Sequence, residues 1–169
     1  RKKIKKIIIF FGGSDKINLT EKILPVAKFF KKIQFSIVIG NLNNNKKSII
    51  KISKNYKNIK LLHDITNQKM ALLISQSDLA IGAGGVNLFE RLYLGLPSIV
   101  ICASKNQLLN IKKSEKRGLI MNLGINNSLT NKKIINLILL LINKENKFKK
   151  FSINLFNSFK NTQNKHLKK

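Results

Sequence analysis

The sequence predicts an α/β fold, a parallel sheet flanked by helices with a C-terminal helical segment. Three observations carry this. Short β-rich apolar runs alternate with longer amphipathic stretches, most of the runs are apolar on both faces, and everything after Thr130 reads as helix. Taken in order, Ile7 to Phe11 is the first strand, and a helix follows it. Asn18 or Thr20 caps that helix, Glu21 completes a capping box with Asn18, and Leu19, Ile23, Val26, Ala27 and Phe30 share one face. Pro25 lies beyond the first turn, so a kink or a late start is expected. Phe35 to Ile39 is the second strand, Asn41 to Lys47 a mobile low-complexity loop without chemistry, and Lys46 to Lys54 a helix. Strands at Ile59 to Leu62, Leu79 to Ile81 and Ser98 to Cys102 alternate with helices at Gln68 to Gln76, Leu88 to Leu94 and Gln107 to Lys116. The last of these is stopped by Gly118. Ile120 to Leu123 adds an edge strand, followed by helices from Asn131 to Ile142 and from Glu145 to Phe159 and a polar tail ending at Lys169.

A chain of 169 residues, 43% hydrophobic, supports one well-buried core. Its formal charge of +26 suggests a polyanionic partner. Ile, Lys and Asn, all with A/T-rich codons, make up nearly half of the chain, and the charges are spread along it, so compositional drift is the first reading of the charge and a functional polyanion-binding surface the second. The single cysteine, Cys102, excludes an intramolecular disulfide and fits a reducing cytoplasm. The longest apolar run, Leu137 to Ile142, is far short of the roughly 18 to 20 residues that span a bilayer, so no membrane span is expected. His63 and His166 are too far apart, with only one Cys, to make a zinc site, and no acidic cluster suggests bound Mg2+. Neither a metal nor a cofactor is expected. His63 reads as structural or solvent-facing, and His166 as solvated.

Three places carry chemistry. Gly12-Gly13-Ser14-Asp15 follows the first strand, where glycines at positive φ let an anion approach backbone N–H groups and Ser14 adds a hydroxyl; the same pair also suits a plain tight turn. Asp78 to Gly85 runs from a strand into a second glycine turn that opens a helix. There the N–H groups of Gly85, Val86 and Asn87 can hold a diphosphate. Glu90, about one turn further on, can accept hydrogen bonds from vicinal ribose hydroxyls, though a surface glutamate is the plain alternative. At the end of the fifth strand, Asn106 and Gln107 can face the same crevice, or Asn106 can simply cap a helix.

The order Phe-Gly-Gly-Ser-Asp, then Asp-Leu-Ala-Ile-Gly-Ala-Gly-Gly with Glu90, then Leu-Gly-Leu-Pro-Ser and Ala-x-x-Asn-Gln, resembles the C-terminal half of the UDP-sugar hydrolases of pseudaminic acid biosynthesis. Those enzymes release UDP from a 2,4-diacetamido-2,4,6-trideoxy-altropyranose. The segment, about Ile7 to Asn122, is similar also to the C-terminal, UDP-binding domain of GT-B glycosyltransferases, including the peptidoglycan glucosaminyltransferase. The resemblance implies a Rossmann-like domain that forms one half of a GT-B fold. Gly12, Gly13, Ser14 and Asp15 would then lie at the diphosphate, with contacts from Gly13 and Ser14. Gly84, Gly85, Val86 and Asn87 would hold it from the helix side. Glu90 would bind ribose, Ile65 would meet uracil through the main chain, Gln107 would join the substrate site, and Asn106 would lie near the scissile bond. Asn87 stands where these enzymes usually have Thr, and Phe89 where they often have Trp.

The catalytic histidine of the hydrolases sits in an N-terminal Gly-x-Gly-His segment that does not occur here. The chain, which starts at Arg1, is therefore expected to be the nucleotide-binding half of an enzyme completed by a missing N-terminal domain, and inactive alone. Residues 1–144 are expected to form the nucleotide-binding domain, and 145–169 a helix and tail packing on it or on the missing domain. The first expectation is hydrolysis of a UDP-sugar with water as acceptor. The alternative is transfer from UDP to another acceptor. A third reading, from a different class, is a non-enzymatic basic module for nucleotides or nucleic acid. Phe148, Phe151, Phe156 and Phe159 have helical spacing suited to burial and are not arranged as stacking platforms.

Overall fold

A computed structural model describes residues 1–125, 127 and 129–166, with side chains through residue 159. The strands are β1 (Lys6–Phe10), β2 (Gln34–Ile39), β3 (Ile59–His63), β4 (Leu79–Ala83), β5 (Ser98–Cys102) and β6 (Met121–Ile125). All pair in parallel in the order β3-β2-β1-β4-β5-β6. The helices are α1 (Leu19–Phe29), α2 (Lys46–Ser53), α3 (Asn67–Gln76), α4 (Val86–Tyr93), α5 (Leu108–Lys116), α6 (Asn131–Asn143) and α7 (Glu145–His166). A short 3-10 turn, Lys105–Gln107, precedes α5.

Strand alternation splits the core between the two faces. Ile7, Ile9, Phe35, Ile37, Leu79, Ile81, Ile99 and Ile101 join Ile23, Ile49, Ile134 and Ile138 on the α1, α2 and α6 side. Ile8, Val38 and Ala80 meet Met70 and Ile74 of α3, while Val100 and Cys102 meet Leu88 and Leu92 of α4 and Ile111 of α5. Parallel strands covered on both sides must be apolar in consecutive positions, which is why they stood out in the sequence. The crossover from β3 to β4 reverses the direction of strand order, so the loops after β1 and β4 splay apart at the carboxyl edge and leave a crevice between them.

Two local expectations at α1 are corrected. Pro25 does not delay α1, which begins at Leu19 and runs through it. Asn18 does not cap α1: it sits in the left-handed region at φ 55°, and its amide donates to Glu21 Oε2 at 3.1 Å. The cap is Asp15, whose Oδ1 accepts the Leu19 N–H at 2.9 Å and whose Oδ2 accepts the Thr20 N–H at 2.8 Å. Asp15→Ala is expected to lower stability by about 1 kcal/mol; an unchanged urea midpoint would remove Asp15 from that role.

The Asn41 to Lys47 loop is largely exposed but tied down at two points. Leu42 N–H donates to the Gly13 carbonyl at 3.1 Å, and buried Asn43 accepts the Asn45 N–H at 2.8 Å. Among the described side chains of α7 the buried ones are Phe148, Ser152 and Leu155, and Phe156 is 54% exposed, one step off that stripe. Phe148 joins the core on one face of the sheet and Leu155 the core on the other, so α7 wraps across both layers. The polar tail, Leu167–Lys169, lies outside the described residues, as does the side chain of His166.

Candidate nucleotide site

Four of the predicted residues, drawn from different crossovers, converge on one cavity of about 760 Å³ at the carboxyl edge of the sheet. Gly13 comes from the β1 loop, Ile65 from the β3 loop, and Asn87 and Glu90 from α4. Asn41 and Leu42 close the same cavity from the β2 side, and Tyr93 and Leu94 from the end of α4.

Backbone geometry explains the close approach of these loops. Gly12 has φ +95° and turns the chain away from β1. Gly40 ends β2 directly against Gly13, where a Cβ would overlap the Gly13 carbonyl. The Gly13 loop is thus held by the Gly40 contact, by the Leu42 hydrogen bond and by Asp15. Asp15 is 6% exposed with both carboxylate oxygens engaged in α1, so it shapes the turn from beneath. Ser14, beside Gly13, is half-buried and does not line the cavity.

On the other side of the crevice α4 begins at Val86, with Gly85 in the N-cap position. The first N–H groups of a helix lack intrahelical partners and can receive an anion; of these positions Asn87 lines the cavity, while Gly85 and Val86 stand outside its lining. Gly84 is different. Its N–H donates to Gln107 Oε1 at 3.2 Å, and the same oxygen accepts the Ala103 N–H at 3.1 Å. Gln107 therefore bridges the ends of β4 and β5 and fixes the glycine turn from outside the cavity. Asn106 is exposed, accepts a hydrogen bond from Ser104 Oγ, and does not reach the cavity wall.

Asn87 Nδ2 donates to Glu90 Oε2 at 3.1 Å, one turn along α4. That bond holds one oxygen of an exposed carboxylate at the cavity wall. Asp64, at φ 53° after β3, also lines the cavity, with Lys46 Nζ at 3.6 Å and His63 Nδ1 at 3.7 Å. His63 is half-exposed at the end of β3, in keeping with the solvent-facing expectation.

Sequence reading missed Arg91. It is 3% exposed, and its Nη2 donates to the Ala83 carbonyl at 2.8 Å. Burial lowers its pKa to about 10, with the charge of neighbouring Glu90 pulling the other way. Its Nε has no partner among the described residues. A signal for it was present in Gly82: a Cβ there would stand 2.5 Å from Arg91 Nη1, and a glycine inside a strand marks such an approach. The guanidinium places a buried positive charge beneath the crevice.

The sheet order, with a crevice between two glycine turns where that order reverses, is that of a doubly wound, Rossmann-like α/β domain. The chain belongs to the glycosyltransferase family 28 C-terminal domain, whose family model matches residues 7–167. It is 29% identical over 131 residues to the spore coat polysaccharide biosynthesis protein SpsG of Bacillus subtilis (strain 168), covering 74% of this chain and 37% of SpsG. It is 36% identical over 114 residues to the uncharacterized protein MJ1062 of Methanocaldococcus jannaschii, covering 63% of this chain and 22% of that protein. The chain thus spans well under half the length of these relatives.

Among solved structures, the UDP-GlcNAc 2-epimerase of Neisseria meningitidis bound to UDP-GlcNAc has a TM-score of 0.70 at 21% identity, covering 100% of this chain and 45% of the epimerase. MurG of Acinetobacter baumannii has a TM-score of 0.70 at 17% identity, covering 93% and 46%. The spinosyn rhamnosyltransferase SpnG complexed with thymidine diphosphate has a TM-score of 0.71 at 16% identity, covering 94% and 42%. At these identities the likeness is one of fold. Among the described residues no helix is long and apolar enough to cross a membrane.

Proposed function

We propose that this chain is the UDP-binding half of an enzyme that transfers a sugar from UDP to an acceptor other than water. The convergence of Gly13, Ile65, Asn87 and Glu90 on one cavity carries the reading. In it, the α4 N-terminus and the Gly13 turn hold the diphosphate, Glu90 accepts the ribose hydroxyls, and the main chain near Ile65 meets the base. As the sugar–phosphate bond breaks, negative charge grows on the departing diphosphate, where preorganised N–H groups and the α4 dipole stabilise it. A general base would come from another domain. Residues 1–144 serve as the binding unit, in a cytoplasmic enzyme, and the helix that begins at Glu145 packs on that unit through Phe148 and Leu155.

Family membership supports transfer at least as well as the hydrolysis first expected from the motifs. Hydrolysis is the second reading, favoured by the Gly-Gly-Ser-Asp turn and the Asn106-Gln107 pair. The link to a diacetamido-trideoxy sugar rests on those motifs alone, and Asn106 would have to enter the site when a second domain closes. Calorimetric titration with UDP, with UMP and CMP as controls, at low and high salt tests the nucleotide site. UDP-selective binding that persists in high salt is expected. Weak binding of every anion, lost as salt rises, would overturn the assignment and put the charge-driven binding module first. UDP release that depends on an added acceptor would separate transfer from hydrolysis.

A further inference from the structure

A second cavity, of about 800 Å³, lies at the opposite edge of the sheet. Its walls include Ile4, Phe30, Ile33, Leu141 and Phe148, with Phe29 standing 58% exposed at the mouth. Lys2, Lys3, Lys5, Lys6, Lys31 and Lys32 surround it. The Phe29 to Ile33 turn that carries part of this rim is rigidly built: buried Asn58 donates from Nδ2 to the carbonyls of Ala27, Phe30 and Ile33 at 3.0, 2.9 and 2.9 Å.

Lysine is common along the chain, yet the two cavities differ sharply in it. Six of the fifteen residues lining this groove are lysines, against none of the seventeen lining the nucleotide cavity. One acid, Glu145, lies in the groove and is held by Lys3 at 3.5 Å, which leaves the other five lysines in excess. An apolar slot inside a cationic rim is complementary to an anionic amphiphile.

We propose that this groove binds anionic phospholipid at a membrane surface, an acyl chain against Phe29 and Ile4 and headgroup phosphates on the lysines. The site faces away from the nucleotide crevice, so the two can be occupied together, and the proposal does not depend on the UDP reading.

Cosedimentation with vesicles tests it, comparing pure phosphatidylcholine with phosphatidylcholine containing one quarter phosphatidylglycerol. The chain is expected to partition onto the anionic vesicles only. Lys31→Glu with Lys32→Glu should lower that partition by at least about tenfold, since each basic residue near the surface contributes substantially. The same reversal at exposed Lys112 and Lys113 on α5 should lower it by less than about twofold. Phe29→Ala should weaken it severalfold, with circular dichroism showing each variant folded. Equal losses from the two lysine pairs, equal binding to both vesicle types, or no vesicle binding would each overturn the proposal. Capture by a single-stranded oligonucleotide in place of vesicles would overturn it in favour of nucleic acid.

Discussion

Truncation of Phe148 to alanine should destabilise the protein by roughly 3 to 5 kcal/mol, the range for removing a fully buried aromatic ring. For a domain of this size that corresponds to a fall in Tm on the order of 10 °C. The ring is 1% exposed and packs in the core shared by α1, α6 and the central strands, while Leu155 on the same helix is 0% exposed in the core of the other face. Removing it opens a cavity and loosens the helix that joins the two layers. Phe156→Ala is the control: more than half exposed, it should change stability by no more than about 0.5 kcal/mol. If the two variants melt together near the parent, α7 is not integral to the fold and its proposed packing on residues 1–144 is wrong.

The second large effect is on binding. Glu90→Ala should weaken UDP by about 1.5 to 3 kcal/mol, the value of hydrogen bonds to a charged group, or roughly 10- to 150-fold in Kd. Because the loss lies at the ribose, uridine should lose affinity in proportion and inorganic pyrophosphate should not. Glu90→Gln, which keeps an acceptor but not the charge, should fall between Ala and the parent. Unchanged UDP affinity in Glu90→Ala would sink the ribose assignment while leaving the diphosphate contacts at Gly13 and the α4 N-terminus standing. Asn87→Ala offers a gentler perturbation of the same carboxylate, since it removes only the bond that orients Oε2.

How much of this was legible beforehand follows from the range over which each feature is determined. The strands were readable because burial on both faces writes itself into consecutive apolar residues such as Ile7 to Ile9. The two glycine turns and Glu90 were readable because a helix start and a carboxylate one turn inside it are local facts of spacing. The Asp15 cap was missed because Asn18 competes for the same role, and only the left-handed backbone at Asn18 decides between them. Asn41 and Leu42 were dismissed for the polarity of their surroundings, although their place is fixed by a bare Gly40 meeting Gly13 across two crossovers. Gln107 was expected at the ligand and instead spans two strand ends, a role that depends on β4 and β5 being neighbours. Arg91 escaped because charge predicts exposure, and its burial depends on a missing side chain nine residues earlier, at Gly82.

Those bare positions bear on how the sequence can change over time. The outside of this molecule carries the lysine and asparagine that A/T-rich codons favour, replacements that an exposed helix face accepts at little cost. At Gly40, Gly82 and Gly84 the same pressure meets a steric veto, because even a methyl group would collide with the Gly13 backbone, the Arg91 guanidinium or the Ile111 side chain. Substitution is cheap on the exterior away from the lysine-rimmed groove and blocked at the glycines that set the strands and loops around the crevice, so the chain can wander far in composition while the shape of the crevice stays where it is.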